Sequence, residues 1–312
     1  MFASFLPAQR RAEDAIEGWG NVYGVAAGGA ANIGPDTTLT SPFTSFPIAV
    51  GTQRRVLTQL LCPFFSQGKL LPLSLMGAIT IELELGDFQD CFFIQGGAVP
   101  NVTWSIIQPE ILCDTLTVDP SLSNSYASSL LSGKSLPISY HNLFSFQSTI
   151  ANPDAVSIPC QRGFSRLVCL YFSFTKNDEQ FNTFFYAPIE RNDPTVQNDT
   201  FRWSTQLGGD KQPTYDCRSL SESFYRLRKA QNIVDGTDSF GMMFHAYCYD
   251  NFIAAACFER APGSASHTGQ NTMGQNLVLN LYRCGPHAAT VHIVAHYDCV
   301  LSVTSGGCEL AY

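Results

Sequence analysis

The sequence predicts an all-β sandwich of jelly-roll type with short helices set into its connections. Three observations predict it. From Val291 to Val303 every odd position is apolar, while His292, His296, Asp298 and Ser302 fall on even positions; a period of two over so long a run means β structure with one buried face. Many shorter strand-like runs precede it, separated by turn residues. Only two stretches carry a helical period, and each stands alone among strands.

Composition narrows the function classes. Aromatic residues make up 12% of the 312-residue chain against 14% charged, where roughly a quarter charged is usual; this favours large buried interfaces. The net charge of -8 would repel a phosphate backbone and argues against direct nucleic-acid binding. The length suits two domains of ordinary size. Eleven cysteines are spread without a Cys-x-x-Cys pair, several in apolar runs, and read as reduced thiols of a protein made inside a cell. Residues 1–30 lack the pattern of a signal peptide, and no stretch approaches the roughly 20 apolar residues of a membrane span. The sequons at Asn101 and Asn198 are what chance supplies.

In chain order, residues 1–36 are rich in Ala and Gly without a period and read as an arm. Strand-like pieces follow at Phe43–Val50, Arg54–Cys62 and Leu70–Leu85; in the last, Ile79, Ile81, Leu83 and Leu85 alternate with Thr80, Glu82 and Glu84, as on an antiparallel strand with one wet face. Gly96–Pro100 is the best internal boundary. Trp104–Val118 again reads as strand. Asp119-Pro120 supplies an N-cap and a first-turn proline, Leu122, Tyr126, Leu130 and Leu131 follow at helical spacing, and Gly133 supplies a stop. Strands resume at Leu136–Thr149 and Phe164–Thr175, the latter apolar on both faces and therefore central. Residues 177–200 read as a long surface loop. A second helix is expected over Arg218–Gln231, with Leu220, Phe224 and Leu227 as its stripe and Glu222 four residues before Arg226. Its basic end, Arg226, Arg228 and Lys229, reads as a solvated face. Phe240–Phe258, Leu277–Arg283 and the terminal run complete the strands. The closing segment, Ser305 to Tyr312, has no polar tail and is expected to be packed.

Catalytic chemistry finds little support. His296 and Asp298, two residues apart on one strand face, are weak candidates for metal ligands; His292 lies about 13 Å from His296 along an extended strand, too far for both to hold one ion unaided. No cupin His-x-His, Gly-x-Ser-x-Gly elbow, P-loop or dinucleotide glycine pattern occurs, so no catalytic residue, metal or cofactor is assigned. Trp104 and Trp203, if exposed, would suit sugar stacking. A carbohydrate-binding jelly roll and, behind it, a cupin-like metalloenzyme are the alternative readings.

Several segments in order resemble the double jelly-roll major capsid proteins of the nucleocytoplasmic large DNA viruses and their polinton-like relatives. Leu71-Pro72-Leu73-Ser74-Leu75-Met76, running into Ile79–Leu85, is similar to the element that closes the first roll there. Ile111 to Asp119, the helix, and Leu136-Pro137-Ile138 resemble the start of the second roll, and Arg162 to Val168 the strand after it. Val294 to Tyr312, with its Ser-Gly pair and final Leu-Ala-Tyr, is similar to the closing strand. The likeness covers roughly residues 70–312.

This resemblance implies a double jelly roll in which residues 1–98 form an arm and a shortened first roll, and residues 99–312 the second. It also implies a structural subunit of the virion, made in the host cytoplasm, that trimerises into pseudo-hexagonal capsomers of an icosahedral shell. Its partners would be itself, minor capsid and penton proteins, and a nearby inner viral membrane. An acidic subunit fits DNA packaged behind such a membrane or a separate basic protein. Two departures stand out: fewer than a hundred residues precede the Gly/Pro break, about half of what a first roll needs, and the cysteine content is high for the family.

Overall fold

The computed structural model describes residues 51, 53, 55, 62–65, 70–86, 103–152, 154–175, 201–231, 244–248, 252–259, 269–284 and 290–311. In order they form α1 (Leu73–Met76), α2 (Pro120–Leu131), β1 (Leu136–Thr149), β2 (Ala155–Cys160), β3 (Leu167–Thr175), β4 (Arg202–Leu207) and β5 (Asp210–Arg218). Then come α3 (Ser219–Ala230), α4 (Phe244–Tyr247), β6 (Ala254–Cys257), β7 (Leu277–Tyr282), β8 (Thr290–Thr304) and β9 (Gly307–Ala311).

The strand pairing is nested: β1 with β8, β2 with β7, β3 with β6 and β4 with β5, all antiparallel. One long hairpin gives that nesting, and winding it up brings β3 against β8 and β4 against β7. The result is two sheets, ordered β1-β8-β3-β6 and β2-β7-β4-β5, which is a jelly roll. The predicted fold class is the one observed.

The core lies between the sheets. Val291, Ile293, Ala295 and Tyr297 of β8 and Leu170, Phe172 and Phe174 of β3 face Leu277, Leu279 and Leu281 of β7 and Trp203 of β4, all of them buried. Rings bridge the layers: Phe172 meets Trp203 edge-on at 5.3 Å between centroids, and Phe174 meets Phe201, next to β4, edge-on at 5.9 Å. At another part of the core the Arg162 guanidinium lies 4.8 Å from the Phe144 ring centre and 5.4 Å from that of Tyr297, an arrangement that the ring quadrupole favours.

Local chemistry explains the helices. The Asp119 carboxylate accepts from the Ser121 backbone N–H at 2.8 Å, Pro120 occupies the first turn, and Gly133, with φ 84°, takes the left-handed conformation that ends a helix without a Cβ penalty. Leu122, Tyr126 and Leu131 are nevertheless exposed, and Leu130 is the buried member of the expected stripe. In α3, Leu220 and Leu227 are buried with Ser223; the helix packs on β6, and the Trp203 indole Nε1 donates to Ser223 Oγ at 2.9 Å.

Glu222 anchors the first turn of α3. It accepts from the Arg218 backbone N–H at 2.8 Å and pairs with Arg226 at 2.7 Å, so Arg226 of the basic helix end already has an acidic partner. Burial pushes the Glu222 carboxyl up, but the Arg218 amide and Arg226 outweigh it and hold the group below its ordinary value. Glu222→Gln is therefore expected to cost about 1 kcal/mol. A carboxylate held down contributes stability above its unfolded pKa and loses it as pH falls through the folded one, so the gap between wild type and variant should close in acid. Urea titrations at neutral pH and near pH 3.5 check this, and a gap of equal size at both would contradict it.

Several expected strands differ. Residues 77–86 and 103–118 form no strand, and Ile79, Ile81, Leu83 and Leu85 are all more than a third exposed. Alternation specifies which side of an extended chain is apolar, but a strand also needs a backbone partner. Within the expected strand Phe240–Phe258 the described residues form α4 and the shorter β6. The closing segment is hydrogen-bonded as β9 to Val300–Thr304 of β8, yet its side chains are exposed rather than packed. β2 and the β4–β5 hairpin were not anticipated. The hairpin turns at Gly208-Gly209, where Gly208 has φ 59°, a conformation that glycine reaches freely. The long terminal run is a single strand, β8, and its pairing with β3 shifts register between Leu167 and Cys169.

The proposed arm, the piece at Phe43–Val50, most of Arg54–Cys62, the Gly96–Pro100 break, the 177–200 loop, and both sequon asparagines lie outside the described residues.

Candidate functional site

Alternation along β8 sends its odd residues into the core and leaves His292, His296 and Asp298 on the opposite face. Register with β1 then decides their neighbours. His141 is opposite Asp298, and Leu143 opposite His296. The His141 Nδ1 is 2.6 Å from the Asp298 carboxylate, whose side chain is only 2% exposed against 56% for His141. The His141 and His296 rings lie 5.0 Å apart.

The electrostatics follow from this packing. Burial, with the charge of His141 added to it, pushes His296 down to about 4, while Asp298 works the other way. Glu259, just beyond β6, is pushed up by burial and by the Asp298 charge, with His141 opposing. His292 sits apart, its Nε2 2.8 Å from Thr175 Oγ1, and burial lowers its pKa. The structure thus places His296 and Asp298 on one face, as the spacing indicated, and adds His141, which sequence reasoning missed. Asp298 pairs with His141, and His296 is held neutral. Among the described residues no group of three or more His, Cys, Asp or Glu side chains is arranged to hold a metal ion.

The sugar-stacking candidates separate. Trp203 is fully buried and its indole N–H is used by Ser223, so it offers no face to a ligand; Trp104 is partly buried.

The second feature is a run of exposed apolar side chains ahead of the sandwich. Leu70 is 74% exposed, Ile107 60%, Leu112 74% and Leu116 66%, and on α2 Leu131 is 84% exposed. Single exposed leucines need no explanation, whereas exposed apolar residues recur here through residues 70–85, 106–118 and α2. Cys308 Sγ of β9 lies 3.9 Å from the Met76 carbonyl oxygen, which sets the end of α1 beside that strand. Among the described residues no helix is long and apolar enough to cross a membrane.

No protein-family model matches the chain, and no curated protein matches it. Among solved structures, the chain is similar to PBCV-1 VP54 as fitted into a reconstruction of the virophage Sputnik, with 13% identity over 62% of this chain and 55% of that one and a TM-score of 0.42. It is similar to a chain of the Sputnik virophage at 10% identity, over 57% of this chain and 39% of that one, with a TM-score of 0.37. For the major capsid protein of bacteriophage PM2 the values are 12%, 52%, 44% and 0.28. The chain thus spans little over half, at most, of the length of these solved chains.

Proposed function

We propose that this chain is a viral major capsid protein, a structural subunit that trimerises into pseudo-hexagonal capsomers of an icosahedral shell. The observation that carries the reading is a complete jelly roll, wound from Leu136 to Thr304, preceded by segments whose apolar side chains stand in solvent. A sandwich with a closed core has no need of those residues for its own stability; a subunit that buries them against copies of itself does. The low charge content agrees, because assembled subunits leave less surface to solvate. A ring of three follows from a head-to-tail interface that closes on itself.

In this reading residues 1–98 supply an arm and a shortened first roll, and residues 99–312 the second roll. The chain is made in the host cytoplasm and resides in the virion. Its partners are its own copies, minor capsid and penton proteins, and an inner membrane beneath the shell, with no direct hold on nucleic acid. The scaffold acts by shape and contact, without a catalytic step.

Sedimentation of the full chain over a range of concentrations tests the proposal. Association is expected for the wild type. Ile107→Asp combined with Leu112→Asp should weaken it by roughly tenfold or more with an unchanged circular dichroism spectrum. Association that is equally strong in the variant would contradict the role given to this surface.

A further inference from the structure

Among the described residues β6 is the outer strand of its sheet, and its last residue, Cys257, is the direct cross-strand partner of Cys169 on β3. The Phe258 backbone N–H donates to the Val168 carbonyl at 2.8 Å. That bond flanks the cysteines and makes them a non-hydrogen-bonded pair, the antiparallel position where Cα atoms approach to about 4.5 Å and side chains lie closest. A disulfide requires a Cα separation of about 4.4–6.8 Å, so the backbone already holds the two thiols within bonding range.

Their surroundings divide the work between them. Cys169 is opposite both Cys257 and His296, in the middle of the row and 1% exposed; Cys257 is partly exposed at the edge. A hydrogen bond from the Cys169 thiol holds the Cys257 thiol below its ordinary value, although burial and the Glu259 charge oppose it; the Glu259 backbone and, more weakly, Lys229 of α3 add to the lowering. Cys169 is pushed well up by the same hydrogen bond and by burial. Burial raises the thiols of Cys160, Cys217, Cys248, Cys284 and Cys299. The partly exposed sulfur is therefore the more readily deprotonated of the two, and a second thiol lies opposite it, the arrangement found where a nucleophilic cysteine has a resolving partner.

We propose that Cys169 and Cys257 are a redox couple that closes a cross-strand disulfide, fastening edge strand β6 to β3, when a low-molecular-weight disulfide is the oxidant. The Cys257 thiolate attacks one sulfur of the small disulfide, whose S–S bond breaks and releases one small thiolate. Cys169 then attacks the Cys257 sulfur of the mixed disulfide, and its proton passes to the second small thiolate as that leaves. Two protein thiols are oxidised and one small disulfide is reduced to two thiols. Excess small thiol reverses the same exchange. The link is reversible, and it ties down the strand on which α3 packs.

Peptide mapping by mass spectrometry under non-reducing conditions, on the full chain equilibrated with oxidised glutathione, tests this. The expected product is a linked Cys169–Cys257 peptide pair about 2 Da lighter than the two thiol peptides, with alkylation of both residues reduced ~10-fold and restored by dithiothreitol. Cys257→Ser should leave Cys169 alkylated to the same extent with and without oxidant. If that variant does not fold, the wild-type map decides alone. A stable glutathione adduct on Cys257 with Cys169 still a thiol, or full alkylation of both after equilibration, would overturn the proposal.

Discussion

Trp203→Ala is expected to lower the stability of the sandwich by about 4 kcal/mol. Trp203 has no exposed surface, lies between the sheets against Phe172, and faces Leu281 across the β4–β7 pair. Removing the indole leaves a cavity that two stiff sheets cannot fill, so the loss combines transfer energy with unrecovered packing. It also strips Ser223 of the N–H that its hydroxyl accepts, at the point where α3 meets the core. Trp203→Phe keeps most of the volume but not the donor, and should fall between wild type and alanine. Urea unfolding followed by circular dichroism measures both. A loss below about 1.5 kcal/mol for the alanine variant would mean that Trp203 does not hold the two layers together.

The second large effect is acid-linked and belongs to His296. Its pKa is depressed from the ordinary 6.5 to about 4 by burial and by the charge of His141. The unfolded chain therefore takes up this proton first. The contribution to stability is fully present above pH 6.5 and is lost as pH falls toward 4, a change on the order of 3 kcal/mol. The charges of His141 and Asp298 also act on the group, so the comparison must be between proteins that differ at one position. Between pH 7.5 and pH 4.5 the wild type should lose roughly 2 kcal/mol more stability than His296→Gln, which has no ring to protonate. Parallel stability curves for the two proteins would contradict the burial argument.

The contrast between β8 and residues 77–86 shows which parts of this fold are legible in sequence. Both segments alternate with a period of two. In β8 the odd residues meet an opposing sheet, and the strand has β1 and β3 on its two sides; the pattern and the partner agree. Ile79, Ile81, Leu83 and Leu85 carry the same pattern with no strand formed, because periodicity encodes a face and not a neighbour. α2 was legible from Asp119, Pro120 and Gly133, since capping is decided within a few residues. The β4–β5 hairpin was overlooked although Gly208-Gly209 between two polar runs was its signal; Gln206, Lys211 and Gln212 masked the strands around it.

The same division holds for the polar cluster. That His296 and Asp298 share a face follows from spacing alone. That Asp298 pairs with His141, or that Cys169 lies opposite Cys257, depends on strand register between segments far apart in the chain, and no local pattern carries it. The nested order of pairing is what brings them together.

In the proposed function the jelly roll is a shell subunit that assembles through its exposed apolar segments. Light scattering coupled to size exclusion, with negative-stain imaging of the main peak, tests it most directly. The expected result is a stable particle with three times the mass of the chain and a compact, roughly hexagonal outline. A monodisperse monomer at every concentration would contradict it.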